Sequence, residues 1–251
     1  GEKEQQKNEQ SDNVELTDPR GKTLESTATG KVNPKIVKTT YATDDVVVAD
    51  IIPTEMGYAV DPTGATDSTE GIQNALQDCY YAGGGTVYLP AGNYAITGKI
   101  YIPPFVTLRG DWQDPDEGTQ YGTIISVWMD SDDSTTSGIF EMGGSSGAVG
   151  LTVYYPLQSI DKVIPYPYTF YVDGYEPNFM SSNIKNVTII NGYRGVGTAY
   201  KTAHECLQLE NVKGTFLKSG FSLYNSSDVG TAWNLNVSNK YWKEAAASCM
   251  E

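Results

Sequence analysis

Asp173 and Glu176 stand three residues apart in Val172-Asp173-Gly174-Tyr175-Glu176, and Glu205, Glu210 and Asp228 follow at wider spacing. Carboxylates are what glycosidic cleavage needs. One protonates the leaving oxygen while the other attacks or activates water, at about 5–5.5 Å separation for retention and about 6.5–9.5 Å for inversion. Asp173, Glu176 and Glu205 are the catalytic candidates on this ground. Linear spacing does not pair them, and each also reads as a solvated loop charge. His204 is the sole histidine, so any nucleophile–His scheme must use it. No Ser or Cys sits in a nucleophile elbow. His204 and Glu205, with Tyr193 and Arg194, could line a surface groove; the alternative is a packed histidine. Tyr154, Tyr155, Tyr166, Tyr168, Tyr171 and Tyr175 form a run of rings able to stack on sugar faces, although core packing explains them as well. Tyr175, Tyr193, Arg194 and His204 are the substrate-binding candidates.

Metal and cofactor signals are weak. Asp130, Asp132 and Asp133 lack the Gly and Glu of a calcium loop. Asp114, Asp116 and Glu117 read the same way, as solvated charge. The three cysteines, Cys79, Cys206 and Cys249, make no even disulfide framework and have no metal-ligand spacing. Gly83-Gly84-Gly85 is not followed by Lys-Ser/Thr, so it is no phosphate loop. No cofactor and no metal is expected.

The elements that carry these residues are short. Val46–Ile52 reads as a strand. Asp67-Ser68-Thr69-Glu70 fits a capping box with Asp67 as N-cap, and Ile72, Ala75, Leu76 and Cys79 then recur at helical spacing until Gly83. Beyond it come many brief strands separated by Gly, Asn, Asp, Ser or Pro, among them 86–89, 94–96, 99–102, 123–128, 138–142, 151–155, 169–172 and 184–190. Ile184-Lys185-Asn186-Val187 recurs about 25 residues later as Leu209-Glu210-Asn211-Val212, and a strand near Asn234–Val237 follows at a similar interval. That period is one coil of a solenoid. Asn suits its bends, because it tolerates left-handed backbone and can hydrogen-bond along the stack. The pattern predicts an all-β fold, a right-handed parallel β-helix, with an N-terminal α-helix capping its open end. A β-sandwich would show neater two-period alternation and no opening helix.

The chain has 251 residues and a formal charge of −14. That balance argues against nucleic acid, whose phosphates need Lys and Arg. No stretch approaches the roughly 20 apolar residues of a membrane span. Residues 1–40 are polar and poor in aromatic and β-branched clusters, and read as a disordered tether; 41–251 read as the β-helix domain. The opening Gly-Glu-Lys-Glu-Gln-Gln is similar to the segment after the lipidated Cys of bacterial lipoproteins. That likeness would place a lipid anchor upstream of Gly1 and the protein outside the cell or at its surface; a linker boundary is the alternative.

Residues 61–111 resemble the opening signature of the pectate-lyase-like superfamily. The parts are Gly64-Ala65-Thr66-Asp67-Ser68-Thr69, Ile72-Gln73-Asn74-Ala75-Leu76, the run Gly83 to Tyr94, and Val106-Thr107-Leu108-Arg109-Gly110-Asp111, in order. Such openings occur in glycoside hydrolase family 55 and family 28-related proteins, some epimerases and fructotransferases, and phage tailspikes. Leu151 to Pro156, Tyr193 to Val196, Gly214 to Gly220 and Lys240-Tyr241-Trp242 are similar to bacterial members. The resemblance implies a polysaccharide or oligosaccharide partner and further coils beyond Glu251, so the domain is expected to be cut short at its C-terminus. It implies glycoside hydrolysis first. The alternatives are a non-catalytic glycan-binding scaffold, or a lyase or tailspike-like depolymerase, for which Arg194 and Lys201 are the candidate bases. The family 55 catalytic residues lie outside the matched part, so none transfers to a position here.

Overall fold

The computed structural model describes residues 15–27, 32–40, 45–112, 122–173, 181–200 and 204–244. Four short strands come first: β1 (Leu16–Thr17), β2 (Thr23–Leu24), β3 (Lys35–Lys38) and β4 (Val46–Ala49). They form two antiparallel pairs, β1 with β2 and β3 with β4. Next is α1 (Thr69–Tyr81), whose Ile72, Ala75, Leu76 and Cys79 are fully buried, as their spacing predicts. The N-cap is Ser68, one residue later than the capping-box reading. Asp67 is instead engaged sideways: its carboxylate accepts the Thr69 amide at 3.0 Å and the Thr97 hydroxyl at 2.6 Å.

Behind α1 the strands stack in parallel. They are β5 (Gly85–Leu89), β6 (Gly92–Ile96), β7 (Ile100–Ile102), β8 (Val106–Gly110), β9 (Thr123–Val127), β10 (Gly138–Met142), β11 (Gly147–Tyr154), β12 (Tyr168–Val172), β13 (Asn183–Thr198), β14 (His204–Glu205), β15 (Gln208–Ser222), β16 (Ser226–Ser227) and β17 (Thr231–Val237). Three faces result. Face A runs β5, β8, β11, β13, β15, β17; face B runs β6, β9, β11, β13, β15, β17; face C runs β7, β10, β12, β13, β15. Later strands cross more than one face, so β13 and β15 each carry a whole coil. This is a parallel β-helix.

The core is made of like residues in register. Val87, Leu108, Ala148, Ile184 and Leu209 line face A. Ile100, Phe140, Phe170 and Val196 line face C, with the two Phe rings stacked at 5.2 Å. All are buried. Stacking of this kind explains why single coils show little alternation: a strand with neighbours on both sides and a dry interior tolerates continuous apolar runs. At the bend from face A to face B, Asn186, Asn211 and Asn234 all take positive φ, between 51° and 54°. Their side chains form a ladder, Asn234 Nδ2 to Asn211 Oδ1 at 2.9 Å and Asn211 Nδ2 to Asn186 Oδ1 at 3.0 Å. The asparagine reading of the repeat is therefore realised at the atomic level.

Residues 15–27 and 32–40, placed in the tether by composition, pack on the solenoid. Leu16 and Leu24 bury against Tyr101, Tyr80 and Tyr81. Asp78 of α1 accepts the Thr27 amide and hydroxyl, the Ser26 hydroxyl and the Tyr58 hydroxyl. The β3–β4 pair lays Val47 and Ala49 over Tyr88 on the outside of face A. Few apolar residues suffice here because the solenoid supplies the other half of each contact. Among the described residues no helix is long and apolar enough to cross a membrane.

Candidate active site

The outward positions of face C bring ionisable groups into one row. Tyr101 on β7, Glu141 on β10 and Tyr171 on β12 are successive register partners, with Gly197 on β13 next. The period-2 alternation of a strand puts Phe140 and Met142 inside and Glu141 outside. Glu141 is nonetheless only 3% exposed. The turn between β1 and β2 lies across it. Asp18 there accepts the amides of Arg20 and Lys22, each at 2.9 Å, and its carboxylate pairs with the Arg20 guanidinium at 3.2 Å. Arg20 Nη1 then sits 3.7 Å from Glu141 Oε2. That is too long for a hydrogen bond. Oε2 is buried with no hydrogen-bond partner.

Burial therefore sets the character of Glu141. It raises the carboxyl pKa and outweighs the opposing pull of Arg20 and Lys99 and of a backbone hydrogen bond from Gly138; Asp18 adds to the rise. The flanking phenols are raised too. Tyr171 is pushed up to about 12, chiefly by burial and then by Asp173, Tyr168 and Glu141. Tyr101 is raised by burial first, then by Tyr80, Asp173, Asp18 and Glu141. Asp18, Glu141 and Asp173 thus all act on the Tyr101 phenol, Glu141 and Asp173 also act on Tyr171, and Arg20 pairs with Asp18 and Glu141. A carboxyl whose pKa is raised by burial can act as a proton donor to an ether oxygen.

Asp173, proposed from sequence, follows β12 directly and acts on the Tyr101 and Tyr171 phenols. Tyr175 and Glu176 lie outside the described residues, as do Lys201, the Asp114–Glu117 charges and Cys249. Arg194 is committed elsewhere: it is buried, donates to the Tyr166 carbonyl at 2.9 Å, pairs with Asp133 at 2.7 Å, and lies 4.8 Å from the Tyr193 ring centroid. Its guanidinium ties a long loop to the coil. His204 is buried, and its Nε2 donates to the Tyr224 carbonyl at 2.9 Å while Nδ1 has no partner. Burial lowers its pKa against the hydrogen bond to Tyr224, which favours the neutral ring. Glu205 is half-buried on β14, opposite Ser227, with its carbonyl accepting the Ser181 amide. Asp132 and Asp133 do not pool their charge; they pair with Lys99 and Arg194 respectively. Cys79 and Cys206 are free thiols.

Glu141 was missed by sequence reasoning. The signal existed: Gly138-Ile139-Phe140-Glu141-Met142 is an apolar strand interrupted by one carboxylate at an outward position. Asp18 and Arg20 had no such signal, because they come from a polar segment over 100 residues away.

With this geometry in view, similarity to known proteins can be placed. Two local matches are to proteins of Azotobacter vinelandii: the mannuronan C5-epimerase AlgE5, 57% identical over 35 residues, and alginate lyase 7, 54% identical over 35 residues. Each stretch is 14% of this chain and 4% of the relative. The mannuronan C-5 epimerase AlgE4 A-module from the same organism superposes with a TM-score of 0.51 at 21% identity, over 75% of this chain and 53% of that one, and shares the fold. The chain thus spans about half of that module and a small part of the curated relatives. The model of the family described as rhamnogalacturonase A/epimerase, pectate lyase-like matches residues 56–240, which contain α1 and every coil of the solenoid, and the chain belongs to that family.

Proposed function

We propose that the chain acts on polysaccharide outside the cell or at its surface, through acid chemistry at face C. The observation that carries this reading is Glu141, a buried outward carboxyl with raised pKa between Tyr101 and Tyr171, two phenols on which Asp173 also acts. In the glycoside hydrolase form, Glu141 gives its proton to the glycosidic oxygen as the C–O bond breaks. Asp173 either attacks the anomeric carbon or takes a proton from the attacking water. The neutral phenols of Tyr101 and Tyr171 supply ring faces and hydroxyl donors for the sugar. Substrate at Glu141 takes the place of the Arg20 side chain.

The local matches to an epimerase and a lyase favour a second reading, in which the same groups move a proton at a sugar carbon. One assay separates the two. Neutral and uronic polysaccharides are incubated with the protein and with Glu141→Gln. New reducing ends without ultraviolet-absorbing product, lost in the variant, support hydrolysis. Unsaturated product supports a lyase. No conversion of any polysaccharide by the wild-type chain defeats the catalytic reading.

A further inference from the structure

A second surface shares Arg20 and Lys99 with the surroundings of Glu141. Between the Asp18–Thr27 segment and α1 lies an open cleft of about 970 Å³. Its size is at the top of the roughly 300–1,000 Å³ typical of small-molecule sites. The floor is a polar row of α1, Glu70, Gln73, Asn74 and Gln77, at positions i, i+3, i+4 and i+7, of which Gln77 is buried. One wall is Asp18 to Thr27, the other Asp67, Thr69, Thr97 and Lys99.

Much of this lining is fixed in advance. The Gln73 amide is held at both ends by the Tyr101 backbone, at 3.0 and 2.8 Å. Gln77 donates to the Glu25 carbonyl at 2.8 Å, and Tyr81 to the Leu24 carbonyl at 2.6 Å. Asp18 and Asp67 are satisfied by their own neighbours. Among the described residues, the Lys22 and Asn74 side chains make no hydrogen bond. The lining sorts the ligand classes. Leu24 is the one aliphatic side chain of the lining and is itself buried, so a peptide would find no anchor. Arg20, Lys22 and Lys99 are matched by Asp18, Glu25, Asp67 and Glu70, so a polyphosphate gains nothing. Amides and hydroxyls that both donate and accept suit a ligand whose groups do the same, namely a chain of sugar hydroxyls.

We propose that this cleft binds a stretch of saccharide chain separate from the residue at Glu141. The inference rests on the polysaccharide reading of face C and extends it. Arg20 is the junction: its guanidinium lines the cleft and also neighbours Glu141. A saccharide seated in the cleft competes with Glu141 for that guanidinium, so occupancy and the reacting face are coupled.

The test is calorimetric titration of the whole chain with hexasaccharides of galacturonic acid, mannuronic acid and β-linked glucose. The Lys22→Ala/Asn74→Ala double variant changes one exposed residue and one helix position that favours Ala, and its melting temperature checks that it folds. We expect at least one hexasaccharide to bind, with Kd rising about tenfold in the double variant, equivalent to one or two lost hydrogen bonds, and falling in Glu141→Gln, which gives up its hold on Arg20. Equal affinity in wild type and double variant, or no binding of any hexasaccharide to wild type, overturns the proposal. Cleft binding that persists while no polysaccharide is turned over would remove the catalytic reading of Glu141 and leave the cleft standing.

Discussion

At the scale of single residues, the buried carboxyl of Glu141 makes two linked predictions. As the proton donor it must be protonated, so kcat/KM should fall as pH rises through its pKa, above the ordinary glutamate value of about 4.3. Glu141→Gln should lower turnover by about 10²- to 10⁴-fold, the usual span for a general acid. The same shift has a sign for stability. A folded-state pKa raised above the unfolded one contributes stability at low pH that is lost as pH climbs through the folded value. Glu141→Gln should therefore melt higher than wild type at neutral pH, with the difference vanishing below about pH 4. Melting curves that differ equally at every pH would contradict the assignment. Arg20→Ala removes the leading opposing charge, so the basic limb of the pH–rate profile should move to higher pH.

At the scale of elements, the asparagine ladder is the clearest test of how the coils are fixed. Asn211 sits at φ 52° and joins both neighbours. Asn211→Ala loses two hydrogen bonds and forces Ala into left-handed backbone, which together should cost about 2–4 kcal/mol in chemical denaturation. Asn211→Gly keeps the backbone relaxed and should cost about 1 kcal/mol less. These elements were largely legible in the sequence. The α1 stripe and the 25-residue echo of Ile184–Val187 in Leu209–Val212 follow from local periodicity, which needs no knowledge of distant partners. The site was much less so. Asp173 could be named as a carboxylate near a strand end, but its relation to Glu141 depends on which strands become register neighbours. Arg194 and His204 look functional by type and prove to be packed. The docking of residues 15–27 was hidden because Asp78, Tyr80, Tyr81 and Tyr101 provide most of the contact. Replacing Asp78 with Ala should release that segment, seen as faster protease cutting before residue 30 while the solenoid stays intact.

At the scale of the molecule, protection should be graded along the axis. Interior coils have hydrogen-bonded neighbours above and below, whereas among the described residues β17 pairs with β15 alone. Trp233 and Val237 on β17 are exposed. Amide exchange is accordingly expected to be slowest in β13 and fastest in β17, since each coil draws stability from its neighbours; uniform protection would show instead that the coils open as one unit. The coil repeat also has a mechanical meaning. Ile184, Leu209 and Ala232 are register partners, 25 and 23 residues apart. Tension on the C-terminal end would load the β15–β17 ladder, and its bonds break in turn rather than together. Under a pulling force the molecule should lengthen in steps, each releasing one coil of about 80 Å of extended chain.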